Sequence, residues 1–201
     1  MKIFLIIGGI LIVAFIVSQV YFMSTQKNIE SYPYSVVKKM GEVEIRSYEA
    51  SLFTSVKLPT NEYESASSNG FSILAGYIFG GNDKQEKIAM TSPVAMSLED
   101  SITMMFMVPK EYKLENLPEP NKKDIEFKEE PAKIMAAITF GGWANNQRID
   151  KFKYELKKQL HAQGIPFTKR FYYFGYNPPY ELVNRKNEVL VELGSNYEGK
   201  S

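Results

Sequence analysis

Residues 71–94 read FSILAGYIFGGNDKQEKIAMTSPV. Phe71, Leu74, Tyr77 and Ile78 fall at i, i+3, i+6 and i+7, the spacing that gathers side chains on one helix face. Gly80 and Gly81 stop that helix, because glycine takes the left-handed backbone that a helix end needs. A polar turn follows, and Lys87-Ile88-Ala89-Met90-Thr91-Ser92-Pro93-Val94 leads the chain into a strand. The unit is an amphipathic helix turned back onto a sheet.

That unit recurs. Val43-Glu44-Ile45-Arg46 aligns with Ile125-Glu126-Phe127-Lys128 at an offset of 82 residues. The same offset sets Leu52 on Ile134, Val56 on Ile138, Leu74 on Leu156 and Ile78 on Leu160. One offset thus matches strand with strand and helix with helix, which points to an internal duplication. In the first half the pattern predicts strands at Tyr34–Met40, Val43–Tyr48 and Ser51–Leu58, then a helix from Asn61, as N-cap, to Phe79. A hairpin of Met90–Leu98 with Ser101–Val108 completes it. In the second half, strands are expected at Ile125–Glu129 and Ala132–Phe140, a helix at Asn145–Gln163, and strands at Phe167–Tyr176 and Val189–Leu193. Strands on either side of two helices, without βαβ alternation, indicate an α+β fold with a mainly antiparallel sheet.

Ile3–Met23 is uncharged and apolar. Twenty-one helical residues rise about 31 Å, close to the roughly 30 Å hydrocarbon core of a bilayer. A cleaved signal peptide is the alternative, but its apolar core is shorter and ends in small residues, whereas this run exits through Val20-Tyr21-Phe22-Met23. The sequence therefore divides into a transmembrane anchor at 1–23, a polar tether at 24–31, a folded domain at 32–195 and a disordered tail at 196–201. The short N-terminal flank is that of a signal-anchor, which would place a single-pass protein's domain outside the cytoplasm.

Composition removes several functions. The 24 basic residues nearly balance 23 acidic ones, and no basic run interleaves with aromatics, so nucleic-acid binding is not expected. With no cysteine there are no thiolate ligands, thiol nucleophiles or disulfides. There is no G-x-S-x-G elbow and no tuned acid/base pair, so no enzyme is expected. His161, the only histidine, falls in the last turn of the second helix, where a cation complements the helix dipole. His161 and Met90 are the side chains to be weighed as metal ligands, through an imidazole and a thioether. Along Phe171–Tyr176, the alternation puts Phe171, Tyr173 and Gly175 on one face and Tyr172, Phe174 and Tyr176 on the other.

The FSILAGYIFGG…KIAMTSPV block, followed by Gly175-Tyr176-Asn177-Pro178-Pro179 and then Arg185, Asn187 and Glu188, resembles the SOUL haem-binding family. The resemblance covers Tyr34–Leu193. It implies a twisted antiparallel β-barrel flanked by two helices, and a non-covalent ligand, haem or another tetrapyrrole. The family's histidine-ligated members carry that histidine in the first half of the domain, where this chain has none. Others hold haem in an apolar cleft with cations at the propionates. On that pattern Phe71, Leu74, Tyr77 and Ile78 would form one wall, and Tyr176, Pro178, Pro179 and Tyr180 the other. Lys84, Lys87 and Arg185 would meet the propionates. Two other readings remain open. One is an effector-binding domain for bulky apolar or cationic molecules, which a buried glutamate in an aromatic cage would favour; Glu181 beside the aromatic strand is the candidate, although exposure is expected for it. The other is a membrane-side interaction module whose protein partners the sequence does not name.

Overall fold

The computed structural model describes residues 2–25, 29–194 and 197. Helix α1 runs over Lys2–Thr25. The strands are β1 (Tyr34–Met40), β2 (Val43–Tyr48), β3 (Ser51–Lys57), β4 (Val94–Ser97), β5 (Thr103–Met107), β6 (Ile125–Glu130), β7 (Lys133–Gly141), β8 (Phe167–Gly175) and β9 (Lys186–Leu193). Helix α2 (Tyr63–Ile78) lies between β3 and β4, and α3 (Asn146–Ala162) between β7 and β8.

All nine strands form one antiparallel sheet, ordered β1-β2-β7-β9-β8-β4-β5-β3-β6. The order reads symmetrically about the β8–β4 pair: β2, β7, β9 and β8 on one side answer β6, β3, β5 and β4 on the other. Each half's first strand pairs with the other half's second strand, β2 with β7 and β6 with β3. The duplication is therefore interlocked, and neither half has its own sheet. The sheet curls but stays open, with β1 and β6 as its two edges. The expected twisted antiparallel barrel is thus a curled half-barrel.

Both helices cover one face of this sheet. Leu74, Tyr77, Ile78, Ile149, Leu156 and Leu160 join Ile45, Phe106, Ala136, Tyr173 and Val191 in the main core. The opposite face carries a smaller core that includes Tyr48, Phe53, Met105, Tyr172, Phe174 and Leu190, with Tyr176 packed on it. The alternation expected along Phe171–Tyr176 is what divides the two cores.

Several boundaries differ from expectation for identifiable reasons. The fourth strand starts at Val94 rather than Met90, because Pro93 has no N–H to enter the ladder. Ser92 pairs instead with the incoming chain: its N–H donates to the Glu30 carbonyl at 2.9 Å, and its carbonyl accepts from Tyr32 at 2.9 Å. Part of the expected tether is therefore docked on the domain, while 26–28 lie outside the described residues. Of the expected disordered tail, 196 and 198–201 also lie outside them, and the Tyr197 N–H donates to the Gly194 carbonyl at 2.9 Å. Helix α2 starts at Tyr63, capped at Glu62 rather than at Asn61, and no side chain of its own segment closes that end. Gly80 does adopt a positive φ of 107°, as a helix stop requires. Taken over the described residues alone, no helix is long and apolar enough to cross a membrane. The anchor reading of Ile3–Met23 rests on its sequence.

Candidate functional site

The gap between α2 and α3 lies over β4 and β8. Along β8, three successive levels face the helices: Phe171, Tyr173 and Gly175. At the middle level the Tyr63 ring packs edge-on to Tyr173 with centroids 4.9 Å apart. Tyr173 Oη donates to Asn187 Oδ1 at 2.6 Å, and the Tyr63 and Tyr173 hydroxyls stand 3.4 Å apart. Burial, foremost, raises the pKa of both phenols, so this aromatic septum stays neutral. It separates two openings.

One opening is a groove of about 650 Å³ beside the N-terminal ends of both helices. Tyr63, Leu98 and Ile149 are its apolar elements, while Glu62, Glu99, Asp100 and Asp150 outnumber Lys153 and Lys169. The Lys153 pKa is lowered, first by burial and then by neighbouring Lys157. An apolar disc bearing two carboxylates fits this groove poorly, since four acids oppose two lysines.

The other is a partly exposed apolar surface at the Gly175 level. Strand register places Phe106 opposite Val94, and Val94 opposite Gly175, so the three make one row across the helix-side face. Phe71 sits over the Phe106 ring with centroids 5.4 Å apart and is 39% exposed. Val94 is partly exposed, and Gly175 contributes no side chain. The row is an apolar floor running from α2 to the loop that joins β8 to β9.

That loop is braced from within. Arg185 Nη1 donates to the carbonyls of Pro178 at 2.8 Å and Glu181 at 2.6 Å, and Nη2 donates to that of Asn177 at 3.1 Å. Its guanidinium also lies 4.0 Å from the centre of the Trp143 ring. Asn177 Oδ1 accepts the Lys186 N–H at 2.6 Å. Fixed this way, Pro178, Pro179 and Tyr180 form a stiff lip.

The structure redistributes the predicted site residues. Phe71 faces the opening, but Leu74, Tyr77 and Ile78 are 0%, 1% and 4% exposed and belong to the core. The helical repeat centres the apolar stripe on Leu74 and Ile78, leaving Phe71 at its edge. Tyr77 Oη donates to the Pro118 carbonyl at 2.8 Å, so it is anchored away from any wall. Tyr176 points to the opposite sheet face, where its hydroxyl donates to Glu188 Oε2 at 2.6 Å, so it is not part of the lip wall. Arg185 is committed to the loop it clamps, which removes it as a rim cation. Lys84 and Lys87 are exposed beyond the C-terminal end of α2, on a turn fixed by Asn82, whose Nδ2 donates to the Tyr77 and Glu86 carbonyls at 3.1 and 2.8 Å. Phe79, 64% exposed, bridges to Lys87 beside them. Met90 is partly buried against the core, and His161 is exposed at the far end of α3 with its ring against Phe167. Glu181, expected to be exposed, is 2% exposed. Its Oε2 accepts from Asn177 Nδ2 at 2.5 Å, and its Oε1 has no hydrogen-bond partner among the described residues. Phe106 and Trp143 were not singled out from the sequence, and Val94 and Gly175 were read there only as parts of their motifs, because only cross-strand register and loop packing bring the four together.

The other polar concentration lies across the sheet. Arg46 and Glu188, 3% and 0% exposed, form a bidentate pair with contacts of 2.8 and 2.9 Å. Burial pushes the Glu188 pKa up, but Arg46 and then Lys186 outweigh it and hold the carboxylate below its ordinary range. Tyr48, Thr139 and Tyr176 complete the hydrogen bonding around the pair. With Glu44 also accepting from Arg46, no buried polar side-chain atom of the cluster lacks a partner among the described residues, which is the pattern of a structural cluster.

A family model described as SOUL heme-binding protein matches residues 29–192. Human "Heme-binding protein 2" is 31% identical over 160 residues, covering 75% of this chain and 78% of that protein. "Heme-binding protein 1" from Sus scrofa is 26% identical over 178 residues, covering 82% and 93%. Among solved structures, the EcmrR C-terminal domain superposes with a TM-score of 0.60 at 10% identity, over 80% of this chain and 98% of its own. A hydrolase encoded by lin2189 from Listeria innocua gives 0.51 at 11% identity, over 76% and 92%. At such identities the structural likeness speaks for the fold alone.

Proposed function

This chain belongs to the SOUL heme-binding protein family, and on that premise we propose that it is a membrane-anchored, non-catalytic protein that binds haem reversibly and non-covalently between α2 and the lip at 178–180. The observation that carries this reading is the row Phe71–Phe106–Val94–Gly175, an apolar floor bounded by a helix edge and a rigid loop. A porphyrin is a flat apolar disc. Covering a few hundred Å² of it at about 25 cal/mol/Å² contributes several kcal/mol without an iron ligand. Lys84, whose ammonium donates to the Asn116 carbonyl at 3.3 Å, and the exposed Lys87 are cations on the α2 side and would meet the propionates. His161 lies too far along α3 to reach this floor. The domain is read as extracytoplasmic, held to the bilayer by Ile3–Met23.

Hemin titration of the detergent-solubilised chain, followed at the Soret band, tests the reading. A saturable one-to-one shift is expected, weakened about tenfold by Phe71→Asp, which removes the burial of one aromatic side chain. His161→Ala and Lys153→Glu should leave it unchanged. Loss with Lys153→Glu but not with Phe71→Asp would move the ligand to the groove beside Lys153. Absence of any saturable shift in folded protein would reject haem. Displacement of haem by a quaternary-ammonium dye would instead favour the cationic-effector reading, with the unpartnered Glu181 Oε1 as its counter-charge.

A further inference from the structure

The loop that forms the lip is tied to the anchor helix. Gln19, in α1, is 8% exposed. Its Oε1 accepts the Leu182 N–H at 3.2 Å, and its Nε2 lies 3.4 Å from the Tyr180 carbonyl. Gln19 stands four residues before Met23, the end of the apolar run, hence about 6 Å inside it along the helix axis. A glutamine at that depth needs partners for both ends of its amide, because little water reaches it there. The loop backbone supplies both.

Docking at that level has a consequence for the loop's own side chains. Leu182 and Val183 are each 47% exposed although they are large and apolar. Trp143, stacked under Arg185, is 52% exposed on the same loop assembly. An apolar pair flanked by an indole is the composition that settles at the boundary between headgroups and acyl chains.

We propose that the 180–183 segment is seated in the bilayer surface beside α1, with lipid covering Leu182 and Val183, so that the cleft opens at the membrane. The proposal rests on the anchor reading above. It gives the site a source of ligand: a flat apolar molecule dissolved in the lipid reaches the floor past the lip without crossing water.

The absence of cysteine makes the test direct. The full chain, carrying Val183→Cys labelled with an environment-sensitive fluorophore, is reconstituted in phosphatidylcholine–phosphatidylglycerol vesicles containing shallow spin-labelled lipid. Lys122→Cys, in the exposed turn before β6, serves as the reference. The expected result is a blue shift and quenching at position 183 but not at 122, with both reduced by Gln19→Leu. If position 183 is unquenched while the chain resists alkaline carbonate extraction, the anchor stands and the seated lip is overturned. If carbonate releases the chain, the anchor reading fails and takes the proposal with it. Quenching unchanged by Gln19→Leu would overturn Gln19 as the tie.

Discussion

Glu64 and Asn146 occupy equivalent positions in the two halves, 82 residues apart, and each satisfies the helix that the other begins. The Asn146 side chain accepts the Tyr63 N–H of α2 at 2.7 Å, and the Glu64 carboxylate accepts the Asn146 N–H of α3 at 3.2 Å. The free N–H groups at a helix start normally find a cap within their own segment. Here α2 has no such cap and takes one from α3, so the pseudo-symmetry is used to join the halves.

Asn146→Ala should therefore destabilise by about 1 kcal/mol, an ordinary capping loss, although its site is a different helix. Combining it with Glu64→Ala in urea-unfolding cycles should give a non-additive total. Strict additivity would show that the two contacts are independent.

The Arg46–Glu188 pair should behave asymmetrically. Arg46→Met strands a buried carboxylate and should cost about 3–5 kcal/mol, whereas Arg46→Met with Glu188→Leu should recover much of that loss. Equal losses in the single and double variants, measured from urea midpoints, would mean that packing rather than charge dominates there.

Acid should weaken the fold through the same carboxylate and through Glu130. Burial raises the Glu130 pKa, but Lys128 and Lys133 outweigh it and leave it lowered, as Glu188 is. A depressed folded pKa means that the stabilisation is complete above the unfolded value of about 4.3 and is lost as pH falls through the folded values. Thermal melts should be flat from pH 7 to 5 and fall steeply below 4. In the Arg46→Met/Glu188→Leu variant that fall should be shallower.

Gly70→Ala should destabilise even though alanine favours helix. Its Cβ would lie 2.8 Å from Leu58 Cδ1 and 3.1 Å from Met104 Cβ and Sδ, so Leu58 would have to change rotamer and Met104 or α2 shift by a few tenths of an ångström. The overpacking cost of about 1–3 kcal/mol exceeds the roughly 1 kcal/mol propensity gain. A raised melting temperature would show that α2 has room to shift.

Much of this molecule was written locally. The periodicity of Phe71–Ile78 and Ile149–Leu160 determined two amphipathic helices, the alternation along Phe171–Tyr176 determined which aromatics face which core, and the 82-residue offset determined the duplication. Each depends on near neighbours along the chain, and repeats of 3.6 and 2 residues express it directly. The interlocked strand order, the open edges of the sheet and the row Phe71–Phe106–Val94–Gly175 depend on which strands pair and in what register. No local pattern encodes that choice, because any strand with the right alternation satisfies the same periodicity. The same limit explains Leu74 and Glu181. Their residue types are plain in the sequence, but only long-range packing decided that Leu74 belongs to the core and that the Glu181 carboxylate is buried under its own loop.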